Sequence, residues 1–209
     1  GKERLYKAGQ GEQAAQLCMV ELCRQKGINL YMDMDEEIDD EIRVDYLEGI
    51  HDMEKGKPLS YVLGYESFYG YDFIVNEDVL IPRQETEELV GLVLSLYDEH
   101  FGNREHVNVF DVATGSGAIG ITLNLEEPKL DVIASDISEK AVQVALKNNE
   151  KLGAHVNFIV GNMLDPFIER NLHCDICVCN PPYIPSDEKM EHSVVDYEPH
   201  VALFGGEDG

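Results

Sequence analysis

Val107-Asn108-Val109-Phe110-Asp111-Val112-Ala113-Thr114-Gly115-Ser116-Gly117-Ala118-Ile119-Gly120 decides the fold. Val107 to Asp111 is a short apolar run of the kind that forms a buried strand. Gly115-Ser116-Gly117-Ala118-Ile119-Gly120 then fits the G-x-G-x-x-G spacing at a strand-to-helix turn. Glycines there permit a tight turn, close approach of the backbone to a ligand, and close packing of helix on strand. The spacing alone is a weak signal. Its context, a strand before and a helical pattern after, makes it a stronger one.

The residues that follow keep the same rhythm. Leu130 to Ala134 reads as a second strand and ends at Asp136. Ser138 is placed to cap a helix bearing Val142, Ala145, Leu146 and Leu152, with Gly153 as its stop. Val156 to Val160 reads as a third strand running into Gly161-Asn162, and His173 to Cys179 as a fourth. Strands alternating with helices predict an α/β fold with a doubly wound, Rossmann-like parallel sheet.

An acid at the position of Asp136 accepts hydrogen bonds from ribose hydroxyls. The turn therefore suits NAD or S-adenosylmethionine. Two features favour the second. Asp111, four residues before Gly115, would repel a pyrophosphate but suits the ammonium of a methionine group. A nicotinamide enzyme also needs a hydride partner, commonly with a His or Lys acid/base, and nothing near residue 180 supplies one.

The fourth strand leads into Asn180-Pro181-Pro182-Tyr183. Each proline fixes its own φ and has no N–H, and each forces the preceding residue to be extended. The Asn180 side-chain oxygen and the Pro181 main-chain oxygen are thus two acceptors in fixed positions at a strand end, beside the ring of Tyr183. They suit a planar group bearing an NH2. Asn-Pro also begins ordinary turns.

Upstream, residues 1 to about 66 read as a small helical bundle. Ala14, Leu17, Cys18 and Leu22 form one stripe, and Ile38, Ile42, Tyr46 and Ile50 another. Phe68 to Val75 and Val79 to Ile81 read as a hairpin around Asn76-Glu77-Asp78. Glu85 or Thr86 then caps a helix carrying Leu89, Val90, Val93, Leu94 and Leu96.

The chain has 209 residues, is 44% hydrophobic and carries a formal charge of −25. That charge opposes a phosphate backbone, so no direct nucleic-acid contact is expected. No apolar run approaches the roughly 18 residues of a spanning helix, so no membrane partner is expected. Five cysteines, an odd number, fit reduced thiols in the cytoplasm. Cys174, Cys177 and Cys179 lack the paired spacing of a zinc site and read as small buried hydrophobes, so no metal is expected.

Asp111-x-Ala113-Thr114-Gly115-Ser116-Gly117, Asp136 and Asn180-Pro181-Pro182-Tyr183 together resemble a class I methyltransferase acting on a planar nitrogen. Pro58-Leu59-x-Tyr61-x-Leu63-Gly64, Tyr69-Gly70, Ile81-Pro82-Arg83-Gln84-Glu85-Thr86-Glu87 and Glu198-Pro199-x-x-Ala202-Leu203-x-Gly205-Gly206-x-Asp208-Gly209 narrow this further. They are similar to the HemK/PrmC family, the glutamine N5-methyltransferases of peptide-chain release factors. Gln84 stands where that family usually has a proline.

The resemblance implies transfer of a methyl group from S-adenosylmethionine, leaving S-adenosylhomocysteine, to the glutamine of a release factor's Gly-Gly-Gln motif. It implies a cofactor site at Asp111, Ala113, Thr114, Gly115, Ser116, Gly117, Asp136, Asn162, Met163 and Asn180, with Met163 beside the adenine. It implies a substrate site at Asn180, Pro181, Pro182 and Tyr183, with Asn180, Pro181 and Tyr183 catalytic. The expected domains are a helical substrate-docking domain at 1–66, a β-hairpin linker at 67–84 and a methyltransferase domain at 85–209. Family members continue past Gly209, so the chain is expected to be a fragment lacking C-terminal strands. An adenine-N6 nucleic-acid methyltransferase, a ribosomal-protein glutamine methyltransferase and a non-catalytic binding module remain alternatives.

Overall fold

The computed structural model describes residues 1–9, 11–32, 37–186, 188 and 192–207. Contacts divide the chain into two units, Gly1–Gly64 with Met190–Tyr197, and Tyr65–Lys189 with Glu198–Gly209. The hairpin expected as a separate linker is grouped with the second unit.

In the first unit lie α1 (Lys2–Lys7), α2 (Glu12–Gln25), α3 (Asp40–Glu54) and α4 (Leu59–Leu63). Asp39 caps α3 by accepting from the Glu41 N–H at 3.1 Å. Leu5, Ala15, Cys18, Ile50 and Met53 form the buried centre, flanked by Ala14, Leu22, Tyr46, Leu59 and Val62. Leu17, expected on that buried stripe, is instead half exposed. It follows Gln16 at the margin of the face, where a helical repeat of 3.6 residues carries it outward.

The second unit opens with a hairpin of β1 (Tyr65–Phe68) and β2 (Tyr71–Ile74). Its turn is Tyr69-Gly70, both at positive φ, 52° and 83°, as a two-residue hairpin turn requires. The expected turn at Asn76-Glu77-Asp78 is no hairpin. Asn76 Oδ1 accepts from the Asp78 N–H at 3.0 Å, a local side-chain turn.

Then follow α5 (Glu85–His100), β3 (Val107–Val112), α6 (Ala118–Glu126), β4 (Leu130–Asp136), α7 (Glu139–Leu152), β5 (Asn157–Val160), α8 (Asp165–Glu169) and β6 (Ile176–Cys179). The chain closes with β7 (Ile184–Pro185), α9 (His192–Val195, in the first unit), α10 (His200–Leu203) and β8 (Phe204–Gly206). Two expected helix signals hold, since Ser138 Oγ accepts from the Ala141 N–H at 3.2 Å and Gly153 ends α7 at φ 72°. The expected cap at Glu85 or Thr86 does not: both lie inside α5, whose N-cap is Gln84 with no side-chain bond.

The main sheet has the order β5-β4-β3-β6, all parallel. Both of its faces are covered, as a parallel sheet demands. Val107, Val109, Leu130, Val132 and Ala134 pack with Ile119, Ile121, Leu123, Val90 and Val93 of the helices. On the other face Phe110 and Val112 pack on Phe167, with the Phe110 and Phe167 rings stacked 4.0 Å apart. Cys179 joins this second cluster, but Cys174 and Cys177, expected to be buried, are exposed. Among the described residues β6 pairs on one side only, with β3, which leaves that flank of the strand open.

Candidate active site

All four parallel strands end at the same level, because Val112 lies opposite Ser135 and Cys179, and Asp136 opposite Val160. Their carboxyl ends open on one cavity of about 520 Å³, within the range of small-molecule and cofactor sites. β3 contributes Ala113 to Ser116, β4 Asp136, β5 Gly161 to Met163, and β6 Asn180 to Pro182. Asp78, Pro82, Arg83 and Thr86 line it from the hairpin-to-α5 stretch, and Val201, Ala202, Phe204 and Gly205 from the C-terminal stretch.

The glycine turn is fastened on three sides. The Gly115 N–H donates to Asp136 Oδ2 at 2.8 Å, while Asp136 Oδ1 accepts from the Ser138 N–H at 2.9 Å. Asn148, wholly buried, donates to the Ser116 carbonyl at 2.9 Å and bonds both backbone groups of Ile74. Beneath the turn, Asp111 Oδ2 accepts from Thr114 Oγ1 at 2.5 Å and from the Gly120 N–H at 2.9 Å. Gly120 is required here by close approach, since a Cβ would stand 2.8 Å from Asp111 Oδ2 and 3.2 Å from Val132. Gly115 and Gly117 sit at φ 57° and 84°, in the left-handed region.

Asp111 is 0% exposed and does not line the cavity. The expected partner of an ammonium group is therefore the peg under the turn. Its Oδ1 has no hydrogen-bond partner among the described residues. Burial pushes its carboxyl up to about 6 from 3.8, with the Thr114 and Gly120 donors pulling in the opposite direction.

Asp136 accepts one hydrogen bond on each oxygen. Each carboxylate oxygen has capacity for another, and the residue lines the cavity. Ala113 and Met163 hold positive φ, 59° and 45°, on two of the strand ends. Non-glycine residues keep such conformations only where the surroundings impose them, and they gather at functional sites.

At the β6 end, Asn180 Nδ2 donates to Thr86 Oγ1 at 3.4 Å. That contact turns the amine side of the amide toward α5, and Oδ1 has no hydrogen-bond partner among the described residues. Pro181 and Pro182 line the same part of the cavity. Tyr183 is 71% exposed and does not line it.

The cavity thus gathers Ala113, Thr114, Gly115, Ser116, Asp136, Asn162, Met163, Asn180, Pro181 and Pro182, and leaves Asp111, Gly117 and Tyr183 outside its lining. Thr86 gave two signals in the sequence, its place at the start of a helix and its membership of the family pattern, and neither pointed to Asn180. The contribution of Val201 to Gly205 was visible only as part of a family pattern.

The family model described as "PrmC N-terminal domain" matches residues 1–64, and that described as "Methyltransferase small domain" matches residues 93–197. A protein of Bacillus anthracis named "Release factor glutamine methyltransferase" is 44% identical over 207 residues, covering 98% of this chain and 73% of its own length. A protein of the same name from Bacillus subtilis is 42% identical over 98% of this chain and 72% of its own. Another, from Leptospira interrogans, is 39% identical over 91% of this chain and 67% of its own. The chain belongs to the release factor glutamine methyltransferase family.

Proposed function

We propose that the protein transfers a methyl group from S-adenosylmethionine to the side-chain nitrogen N5 of the glutamine in the Gly-Gly-Gln motif of a peptide-chain release factor. Family membership supports the reaction class. The orientation of Asn180 carries the reading of the acceptor, since Thr86 engages its Nδ2 and leaves Oδ1 for an incoming N–H.

The cavity fits the cofactor. The space over Gly115 is open, for a Cβ there would meet nothing within 4 Å. Asp136 is placed to take ribose hydroxyls, the turn from Ala113 to Ser116 offers backbone without bulk, and Met163 with Asn162 offers a surface for the adenine. S-adenosylmethionine, when bound, supplies a methyl carbon open to in-line displacement.

The residues of the chain then have to prepare the amide. An amide nitrogen is a poor nucleophile because its lone pair is delocalised into the carbonyl. Asn180 Oδ1 and the Pro181 carbonyl would each accept one N–H, fixing the face the nitrogen presents. Their partial negative charge favours the positive charge that builds on nitrogen as the new N–C bond forms. Positioning of this kind supplies roughly 7 kcal/mol or more of barrier reduction in favourable cases. The amide proton leaves to water after transfer. Tyr183, exposed on the cavity's outer side, would cover the amide plane once the protein substrate is seated.

The helical unit is proposed to dock the release factor, and the cytoplasm, where release factors act, is the proposed location. No described helix is long and apolar enough to cross a membrane.

Incubation with labelled S-adenosylmethionine and a purified release factor, beside a variant whose Gly-Gly-Gln glutamine is replaced, tests the proposal. Label in the first and none in the second is expected. Label in both, or in neither, would overturn it.

A further inference from the structure

We propose that Glu198 is the latch of a strap, residues 198–206, that walls the cavity beside Asn180, which makes Glu198 a positioning residue for amide transfer. The inference deepens the function proposed above and rests on it for the identity of the substrate.

The Glu198 side chain is 2% exposed. Both of its oxygens are taken by one short stretch of chain. Oε2 accepts from the Ile81 N–H at 3.2 Å, and Oε1 accepts from Arg83 Nη2 at 2.5 Å. These partners lie 117 and 115 residues away in sequence. The other end of the strap is held at Gly206, whose carbonyl accepts from both the N–H and the hydroxyl of Ser186 at 2.8 Å. Ser186 follows β7, three residues after Tyr183, and β7 pairs with β8 through Ile184 and Phe204.

Between the two fastenings, Val201, Ala202, Phe204 and Gly205 face the cavity. The strap's helix, α10, has four residues, too few to be stable by itself. Its position therefore depends on the fastenings. Ile81 and Arg83 stand just before Thr86, the residue that engages Asn180. One carboxylate thus ties the wall to the same stretch that orients the acceptor amide.

The pair is also poised to fail when one partner changes. A buried carboxylate is tolerated because it is paired, and a neutral amide in its place keeps one acceptor oxygen, so that either the guanidinium or the N–H loses its partner and faces an NH2 instead. The glycine turn is held separately, by Asp111, Asp136 and Asn148. Loss of the latch should then weaken engagement of the protein substrate and leave the cofactor end unaffected.

The test uses Glu198→Gln and Arg83→Lys in the full chain, with three readouts: affinity for S-adenosylhomocysteine, KM and kcat for the release factor, and amide hydrogen exchange. In Glu198→Gln, KM should rise about tenfold, the scale of losing a hydrogen bond to a charged group, with cofactor affinity unchanged. Exchange should quicken within residues 200–206 and not within 113–120. Arg83→Lys, which keeps the charge, should show a smaller rise in KM. Unchanged KM together with unchanged exchange would overturn the proposal, as would parallel loss of cofactor affinity with faster exchange throughout the unit. Should the wild-type chain fail to label a release factor, the proposed function falls. The exchange arm then decides the latch alone, with quickening confined to 200–206 sustaining it and no quickening refuting it.

Discussion

The two ends of the cavity are built differently. At the cofactor end, the turn after β3 is fixed mainly by partners close in sequence: Thr114 and Gly120 on Asp111 and Asp136 on Gly115, at most 21 residues apart, with Asn148 on Ser116 at 32. At the acceptor end, the contacts span most of the second unit, with Thr86 to Asn180 at 94 residues and Ile81 to Glu198 at 117. The first end is a local consequence of a strand, a glycine turn and a helix. The second exists only once distant segments have met. Cofactor binding should therefore tolerate damage at the acceptor end, and methyl transfer should not.

The sharpest break of that contrast is Asn180→Ala. Transfer to the release factor should fall by about 100-fold or more, the scale of removing one preorganised transition-state contact, with S-adenosylhomocysteine affinity retained. Single-turnover rates beside equilibrium binding measure both. Full transfer by this variant would refute the acceptor role.

Gly120→Ala attacks the other end. The new methyl would press on Asp111 Oδ2 and Val132, an overpacking that costs about 1–3 kcal/mol. The denaturation midpoint should drop and cofactor affinity should fall with it. A variant of normal stability and normal cofactor affinity would show that the turn is not held on Asp111.

Thr86→Val keeps the shape and removes the hydroxyl that engages Asn180. The contact is long, 3.4 Å, so a loss of about 0.5–1.5 kcal/mol in kcat/KM is expected, seen as a modest decrease without change in cofactor affinity. An unchanged kcat/KM would mean that the Asn180 amide is oriented by its backbone alone.

The smallest effect is a matter of pH. Burial raises the Asp111 carboxyl to about 6 from an ordinary 3.8. Between those values the folded chain keeps a proton that the unfolded chain has lost. The contribution of Asp111 to stability is thus greatest below about pH 4, declines as pH rises through that window and is constant above about 6. Denaturation midpoints of wild type and Asp111→Asn, followed from pH 4 to 7, should differ in slope only below about 6. Parallel curves would assign the proton elsewhere.

The same contrast explains what the sequence could reveal. Gly115, Gly117, Asp136, the Ser138 cap and the Gly153 stop were legible because each acts on residues within a few turns of itself. The parallel sheet followed from their rhythm. Asn180-Pro181-Pro182 was legible as a rigid stretch at a strand end because proline restricts its own neighbours. Thr86 was not, since nothing near it announces a partner on another strand. The hairpin was placed too late in the chain, because Asn76-Glu77-Asp78 has turn-forming residues while the true turn puts Tyr69 at φ 52°, a conformation that tyrosine seldom announces. Asp111 was read as the partner of the cofactor's ammonium from its place at the strand end, four residues before Gly115. Its burial under Gly120 follows from the turn folding back over it, which spacing alone does not show.

The end of the cavity at Asn180 is proposed to fit a planar NH2. Fragmentation mass spectrometry of a release factor after incubation with the protein and S-adenosylmethionine tests this most directly. One methyl group is expected, on the side-chain nitrogen of the Gly-Gly-Gln glutamine. A methyl group on a lysine, an arginine or a carboxylate instead would contradict it.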